Sequence, residues 1–405
     1  MRRTFAAVLG CAGAALAALG AAGASGTAPP APVVAAYYAA FDPSLPVGAI
    51  DAARLTDVIY AFAAVDRRGH CALGEPGVDV GSGAPAPGGN FGALAALKAA
   101  HPGLRSEISI GGWSGSARFS AVAASAARRA AFVRSCVDLF LRRWPGVFDG
   151  FDIDWEFPVA EGARSTPARP GDRADATALL ADFRRALDAL GRATGRHYLL
   201  TVAMPAFGTA GGGAYTPSTS WDLPALARLV DWMNLMTYDL AGFSGSVTGF
   251  ESPLGPPAPA SVPAPPAAPD TIDSAVRFYE AAGVPADELV IGAPFYGHEF
   301  VGVHSVHDGL YGRFRKLGGV PSYAAIAAAH VPRRDLHWSP AAQEPWVYDR
   351  RTYTFTSFDD PAAMSAKAHY AVSRHLRGVM LWEIAMDDGA HDLLNALSGP
   401  VLAAR

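Results

Sequence analysis

Residues 148–157 read Phe-Asp-Gly-Phe-Asp-Ile-Asp-Trp-Glu-Phe and are followed by Pro158. Successive side chains of a β-strand point to opposite faces, so the stretch predicts Asp152, Asp154 and Glu156 on one face. The other face is apolar and is expected to pack against helices. Three carboxylates on a buried face repel one another and lose hydration, so at least one proton should be retained or shared. The pattern therefore indicates a strand whose end manages a proton.

A solvated edge strand with its charges facing water is the alternative interpretation of this stretch. The aromatic opposite face argues against it, as does Pro158, which ends the strand. In a purely structural strand the inward positions would normally be Val, Ile or Leu. We therefore expect the acidic face to have a chemical role.

The stretch resembles the signature of family 18 glycoside hydrolases, the chitinase family, whose pattern is Asp-x-x-Asp-x-Asp-x-Glu. Here Asp149, Asp152, Asp154 and Glu156 match every acidic position. Glu156 is the last carboxylate along the strand, and active sites of α/β barrels lie at the carboxyl ends of the strands. We expect it to protonate the leaving glycosidic oxygen, with Asp154 sharing its hydrogen and Asp152 holding a proton or balancing charge deeper in the barrel. Asp149 is out of phase with the other three and is expected to fix the entry of the strand.

Apolar runs alternate with helical segments along the chain, which predicts an α/β fold, a (β/α)8 TIM barrel over residues 33–398. The predicted strands are Val33–Tyr38, Val58–Val65, Ser106–Gly112, Phe148–Glu156, Tyr198–Met204, Val230–Tyr238, Leu289–Phe295 and Gly378–Ile384. One long helix is expected over Ser120–Trp144. Residues 297–356 exceed the needs of a barrel, and the resemblance implies a small α+β insertion there, between strands 7 and 8, that walls one side of the substrate groove.

The resemblance extends to motifs on the other predicted strands. Met236-Thr237-Tyr238-Asp239 is similar to the Met-x-Tyr-Asp motif of the family, which implies that Tyr238 and Asp239 hold the 2-acetamido group of the substrate. Ser109-Ile110-Gly111-Gly112-Trp113 is similar to the Ser-x-Gly-Gly motif, with Ser109, Gly111 and Gly112 as structural positions and Trp113 bordering the sugar site. Trp382 matches the tryptophan beneath the sugar in the −1 subsite. Inward positions around it are expected to be Tyr37, Phe62, Met204, Met236 and Tyr296.

Two positions depart from the family pattern. His298 stands where chitinases of this group commonly carry Arg, and Phe243 stands where related sequences often have Trp. The first departure puts a substrate contact in question, and the second an outer stacking subsite. His304, His307 and His330 lack metal-ligand spacing, and we expect neither a metal nor a cofactor.

The first 24 residues predict a secretory signal: Arg2 and Arg3 form a charged start, an apolar Ala-rich run follows, and Ala22-Gly23-Ala24 offers a cleavage site. Residues 25–32 are expected to be a short leader. A lipoprotein site at Cys11 is disfavoured because the apolar stretch before it is too short. The sequence thus predicts a secreted protein without a membrane span in the mature chain. Cys71 and Cys136 either form a disulfide, which export permits, or remain buried thiols.

The net charge of −4 among 405 residues and the absence of basic runs argue against nucleic acid as a partner. The expected partner is chitin or a chito-oligosaccharide, bound by a monomer. The resemblance implies retaining hydrolysis of β-1,4 bonds between N-acetylglucosamine units through an oxazolinium intermediate. An inactive chitin-binding lectin on the same barrel, or an endo-β-N-acetylglucosaminidase that cleaves the chitobiose of N-glycans, remain the alternatives.

Overall fold

The computed structural model describes residues 30–81, 88–159, 162–211, 215–241, 247–256, 269–304, 307–329 and 332–404. The described residues from Ala31 onward form one compact unit. The predicted signal segment with Cys11, most of the leader, Phe243 and His330 lie outside the described residues. So does most of the Pro- and Ala-rich run that follows strand 6.

Eight parallel strands form a closed barrel, because the first strand pairs with both the second and the last. The prediction of a (β/α)8 barrel is thereby confirmed. In chain order, strands 1 to 8 are Val33–Ala39, Asp57–Val65, Arg105–Gly111, Gly150–Asp154, Leu199–Pro205, Trp232–Met236, Leu289–Pro294 and Gly378–Trp382. A two-residue strand, Cys71–Ala72, adds an antiparallel pairing to strand 2.

Alternation along each strand separates the barrel interior from the layer between strands and helices. On strand 1, Val33, Ala35 and Tyr37 belong to the apolar cluster inside the barrel. Their neighbours Val34 and Ala36 belong to the larger cluster beneath the helices. The side chains of strand 4 follow the same rule, which directs its carboxylates into the barrel.

The α-helices lie between the strands, with short 3-10 turns at several loops. They span Pro76–Asp79, Gly89–Ala100, Phe119–Ala123, Ala126–Cys136, Asp172–Thr194, Pro217–Ser220, Leu223–Leu226, Ile272–Ala281, Tyr323–Ala328, Pro361–Ser373 and Asp392–Ala403. The 3-10 turns are Val47–Ala49, Ala52–Arg54, Ser116–Arg118, Ala286–Glu288 and Ile384–Met386.

The prediction of one long helix over Ser120–Trp144 is wrong. Ser125 has an extended backbone, and its side chain accepts a hydrogen bond from the Arg128 N–H, so it caps a new helix. That helix ends at Cys136 and continues as a π-helix, Val137–Arg142. A serine cap inside an apolar pattern is the signal that the sequence analysis overlooked.

The chain between strands 7 and 8 contains a five-stranded antiparallel sheet and the helix Tyr323–Ala328. In spatial order its strands are Lys316–Leu317, Gly297–Val301, Thr354–Phe358, Glu344–Asp349 and Leu336–Ser339. Its own apolar cluster includes Phe300, Tyr348 and Phe355, and Phe250 from the loop after strand 6 packs into it. The insertion is thus joined through a shared core to the loop that carries part of the predicted site.

Cys71 and Cys136 form a disulfide between the short strand after strand 2 and the end of a helix, with their Cα atoms 5.0 Å apart. This decides between the two alternatives that the sequence left open. Among the described residues, no helix combines the length and the apolar character needed to span a bilayer.

Candidate active site

Asp152 is the deepest of the three strand-4 carboxylates and is completely buried. Four side chains donate hydrogen bonds to it. Oδ2 accepts from the Tyr37 hydroxyl at 3.0 Å and from the Ser109 hydroxyl at 2.7 Å. Oδ1 accepts from the Thr201 hydroxyl at 2.7 Å and from the Asn234 amide at 3.2 Å. Burial raises the pKa of Asp152, while these donors favour its anion and limit the rise.

Asp154 and Glu156 follow towards the carboxyl end of the barrel. Burial raises the pKa of Asp154 well above its usual range, and the neighbouring carboxylates of Glu156 and Asp152 raise it further. Burial and the charge of Asp239 raise the pKa of Glu156 to about 8. At neutral pH Glu156 is therefore a neutral acid that can donate a proton.

One oxygen of Asp154 is buried without a hydrogen-bond partner among the described residues. The structure shows no hydrogen bond between Asp154 and Glu156, so the hydrogen that the sequence analysis assigned to this pair is not seen here. Burial, together with the charge of Glu156 beside Asp154, nevertheless raises the pKa of Asp154, which keeps a proton on the pair at neutral pH.

Ser116 holds the backbone of this strand end and was not found by the sequence analysis. Its hydroxyl accepts a hydrogen bond from the Glu156 N–H at 2.9 Å and lies 2.9 Å from the Gly112 carbonyl and 3.1 Å from the Asp154 carbonyl. Ser116 is completely buried. It follows the Ser-x-Gly-Gly stretch by four residues, and no pattern in the sequence marks a serine there as a backbone clamp.

Gly111 and Gly112 allow strand 3 to approach the site closely, as expected from the motif. Gly111 has φ +116°, and a Cβ there would lie 2.1 Å from the Asp154 carbonyl oxygen. Gly112 has φ +79°, and a Cβ there would lie 2.6 Å from the Phe62 ring. Both positions therefore require glycine for conformation and for space.

Tyr238 and Asp239 lie directly after strand 6, on the same end of the barrel as Glu156. Asp239 has a positive φ of +59°, a conformation that few non-glycine residues adopt. The Tyr296 hydroxyl donates to its carboxylate at 2.7 Å, and the Tyr238 and Tyr296 rings lie 6.2 Å apart. Burial raises the pKa of Asp239 to about 8, and the adjacent Glu251 carboxylate adds to the rise.

Aromatic side chains line the interior beside these acids. Trp382 lies with its ring 5.8 Å from Phe62, nearly parallel to it, and 5.4 Å from Tyr37. Met236 and Tyr238 pack against the same interior cluster. Trp113 follows strand 3 with 55% of its surface exposed, which leaves an indole face open at the rim.

The prediction that Met204 faces the interior is wrong. Thr201 on the same strand points inward to Asp152, so the alternation directs Met204 outward. Met204 packs beneath the helices instead. The interior methionine that the sequence analysis overlooked is Met380 on strand 8, two residues before Trp382 and in one cluster with Tyr37.

Asp149 lies at the opposite end of strand 4 and is unconnected with this site. Its carboxylate accepts from the Ser106 N–H at 3.0 Å and from Lys98 and Arg196 at 2.5 Å each. These contacts join strands 3 and 4 at their amino ends. The geometry agrees with the expected role at the strand entry.

Within the described ranges, one group of side chains has donor atoms close enough to hold a metal, namely Asp239, Glu251 and His298, all within 4.8 Å of one another. Each of them is already engaged in hydrogen bonds. His298 Nδ1 lies 2.6 Å from Glu251 Oε2, and Glu251 Oε1 accepts the Asp239 N–H at 2.7 Å. These contacts explain the cluster as a hydrogen-bonded network.

The raised pKa of Glu156 generates a direct prediction. The Glu156 carboxyl should remain protonated until the pH approaches about 8, and Asp239→Asn should lower its pKa because the substitution removes a neighbouring carboxyl that becomes negative over the same pH range. Infrared difference spectra of protein with ¹³C-labelled Glu carboxyls, assigned by subtracting the Glu156→Gln spectrum, measure this titration. Asp42→Asn, on the loop after strand 1, serves as the control and should leave the pKa of Glu156 unchanged. A Glu156 that titrates near the ordinary glutamate value would contradict the assignment.

Comparison with known proteins identifies several proteins that are similar to this chain. Chitinase A1 of Niallia circulans is 35% identical over 335 residues, which cover 79% of this chain and 46% of that protein. Chitinase 1 of Aphanocladium album is 32% identical, with 86% of this chain and 79% of that protein covered. The solved structure of chitinase ChiA74 from Bacillus thuringiensis superposes with a TM-score of 0.82 at 29% identity, covering 92% of this chain and 70% of that one.

The chain thus spans about half the length of the first of these relatives and most of the length of the second. The sequence model of the family described as "Glycosyl hydrolases family 18" matches residues 33–387, from the first strand to beyond the last. The matched region includes the acidic strand, the Tyr238–Asp239 loop and Trp382. The chain belongs to glycosyl hydrolase family 18.

Proposed function

We propose that this protein is a chitinase that hydrolyses β-1,4 bonds between N-acetylglucosamine units with retention of configuration. The observation that carries the proposal is the position of a neutral Glu156 at the carboxyl end of strand 4, beside Asp154 and facing the Tyr238–Asp239 loop. Two relatives bearing the name chitinase, each more than 30% identical, support the choice of substrate.

Glu156 supplies the proton in the first step. Its pKa of about 8 keeps it protonated at neutral pH, so it can protonate the glycosidic oxygen as the bond to the anomeric carbon breaks. The resulting carboxylate then accepts a proton from water in the second step. Glu156 thus acts as the acid in the first step and as the base in the second.

The nucleophile is the 2-acetamido oxygen of the substrate itself. It attacks the anomeric carbon while the leaving group departs, and the oxazolinium ion that forms is opened by water from the same face as the departed group. Enzymes with this chemistry need no second carboxylate as a nucleophile. They need groups that orient the acetamido group, and we assign these roles to Asp154, Tyr238 and Asp239.

Asp154 is suited to this role because one of its oxygens is buried without a partner among the described residues. An acetamido N–H at this position would satisfy that oxygen and stabilise the positive charge that develops on the oxazolinium ring. Asp152, held by four donors, would keep a negative charge beneath it. Each residue thus has a separate electrostatic task.

The sugar would lie on the indole of Trp382, with Phe62 and Tyr37 behind it. Aromatic faces offer pyranose rings a large apolar contact at a low cost in side-chain entropy. The exposed indole of Trp113 supplies a second such face at the rim. The predicted substrate is thus a polymer or oligomer of several units.

Removal of the acid tests the proposal. Wild-type protein should hydrolyse chitotetraose. Glu156→Gln should reduce kcat by about 10²–10⁴-fold, the usual contribution of a general acid, with little change in the affinity for chitotetraose. The rate is measured by chromatography of the products. Glu280→Gln, which removes a carboxylate that pairs with Arg374 away from the site, is the control and should retain wild-type activity.

Either of two results would contradict the proposal. Binding of chitotetraose without turnover by the wild type would favour the lectin. Turnover of N-glycan chitobiose but not of chitotetraose would favour the endoglycosidase.

We also propose that the protein is exported by its first 24 residues. The disulfide between Cys71 and Cys136 supports this, because such bonds persist mainly in oxidising compartments. Expressed as the full chain in a bacterial host, the protein should be recovered outside the cytoplasm with a mass that lacks the signal segment. Peptide mapping without reduction should show the two cysteines linked. Cytoplasmic protein with an intact start and two alkylated cysteines would overturn the proposal.

A further inference from the structure

Glu251 lies on the loop after strand 6 and has no part in the mechanism described so far. It is completely buried, although a lone buried carboxylate is costly. No motif in the sequence singles it out. Its contacts lead directly to Asp239.

The side chain of Glu251 fixes the backbone of Asp239. Glu251 Oε1 accepts the Asp239 N–H at 2.7 Å, and the Glu251 carbonyl accepts the N–H of the following Leu240 at 2.9 Å. Asp239 has φ +59°, in the left-handed region that is unfavourable for a residue with a Cβ. The two hydrogen bonds therefore compensate for an unfavourable conformation at the residue that faces the sugar.

Glu251 is itself held from the insertion. Its N–H is 2.8 Å from both Glu344 Oε1 and the Ser357 hydroxyl, and its Oε2 is 2.6 Å from His298 Nδ1. Burial lowers the pKa of His298, so the imidazole is neutral near pH 7, and burial raises the pKa of Glu251 to about 7, so His298 Nδ1 and the Glu251 carboxyl share one hydrogen. Three residues of the insertion, on three adjacent strands, thus hold Glu251: Glu344 and Ser357 contact its backbone N–H, and His298 contacts its carboxylate.

The charged and titratable groups around His298 and Glu251 are mostly acids. Asp239 lies on the same loop as Glu251, Glu344 on one insertion strand, and Asp359 after another, where it pairs with Lys367 of the following helix. Tyr296 precedes His298. A permanently charged Arg in place of His298 would reach this group of acids as a cation. The neutral histidine holds Glu251 by a hydrogen bond instead.

We propose that Glu251, held by His298, is a positioning residue: it fixes Asp239 in the conformation that binds the 2-acetamido group of the substrate. The inference rests on the proposed substrate-assisted function. Glu251 does not touch the sugar. It acts through the Asp239 backbone, so its geometry matters more than its charge.

Three substitutions separate geometry from charge. Glu251→Gln keeps an oxygen for the Asp239 N–H, and the His298 ring can accept from the new amide in its other tautomer. Glu251→Asp keeps the charge but is one methylene too short, and Glu251→Ala removes the acceptor. We expect Glu251→Asp and Glu251→Ala to reduce kcat by about 10²-fold, because a misplacement of a substrate-positioning group by about 1 Å has an effect of that size. The kcat of Glu251→Gln should stay within a few-fold of the wild-type value.

Binding is measured independently of turnover. Calorimetry uses a chitobiose thiazoline, a stable analogue of the oxazolinium ion. Glu251→Asp and Glu251→Ala should bind it more weakly than the wild type, and Glu251→Gln should bind it with near wild-type affinity. KM for chitotetraose should change less than kcat, since outer sugars still bind. Glu299→Ala is the matched control, because Glu299 adjoins His298 on the same strand but its carboxylate accepts from Gly319, and it should leave both quantities unchanged.

Wild-type rates in Glu251→Asp and Glu251→Ala would overturn the inference. Equal losses in all three variants, Gln included, would also overturn it, because the charge or the fold rather than the hydrogen-bond geometry would then be responsible. If Ala does not fold, the contrast between Asp and Gln decides. A wild-type protein that neither binds the thiazoline nor cleaves chitotetraose counts against the proposed function itself.

Discussion

Asp154 and Glu156 lie at the end of one strand with too little water around them to ionise together. Moving a carboxylate out of water disfavours its charged form, and the Glu156 carboxylate raises the pKa of Asp154 further. The two carboxyl groups can stay in this poorly hydrated position only if the surrounding residues hold the strand end in place. The four donors on Asp152, the Ser116 hydroxyl and the two glycines of strand 3 are that support.

A second group of acids lies along the loop after strand 6 and the insertion, and all of them except the partly exposed Asp239 are buried. Asp239, Glu251, Glu344 and Asp359 are connected through the loop after strand 6 and the insertion, with Lys367 and His298 among them. The apolar cluster of the insertion includes Phe250, the residue before Glu251. The sheet of the insertion therefore fixes the loop that carries Asp239.

The sequence predicts the barrel well because its strands are buried on both faces and read as continuous apolar runs. The acidic strand could be recognised for the opposite reason, since carboxylates at period two have no place in an ordinary core strand. Met204 was misplaced because a continuous apolar strand gives no sign of which face is inside, and only Thr201 and Asp152 reveal it. The break at Ser125 was overlooked because one capping residue interrupts an otherwise helical pattern.

Ser116, Glu251 and His298 show a different limit of sequence reasoning. Their roles depend on partners 12 to 106 residues away, and a serine or glutamate with a distant partner resembles any surface residue in the sequence. The helix Pro361–Ser373 was also absent from the prediction, although Asp360 and Pro361 form a standard start. Local signals found most elements, whereas the supporting contacts of the site required the fold.

The central claim is that the anomeric carbon is attacked twice, first by the acetamido group of the substrate and then by water, so that hydrolysis retains the configuration. Proton NMR of the products in the first minutes of chito-oligosaccharide hydrolysis tests it most directly. Attack by the acetamido group followed by water from the opposite side gives two inversions, so the account predicts that the new reducing end appears first as the β-anomer. An initial α-anomer would show a single direct displacement by water and would contradict the account.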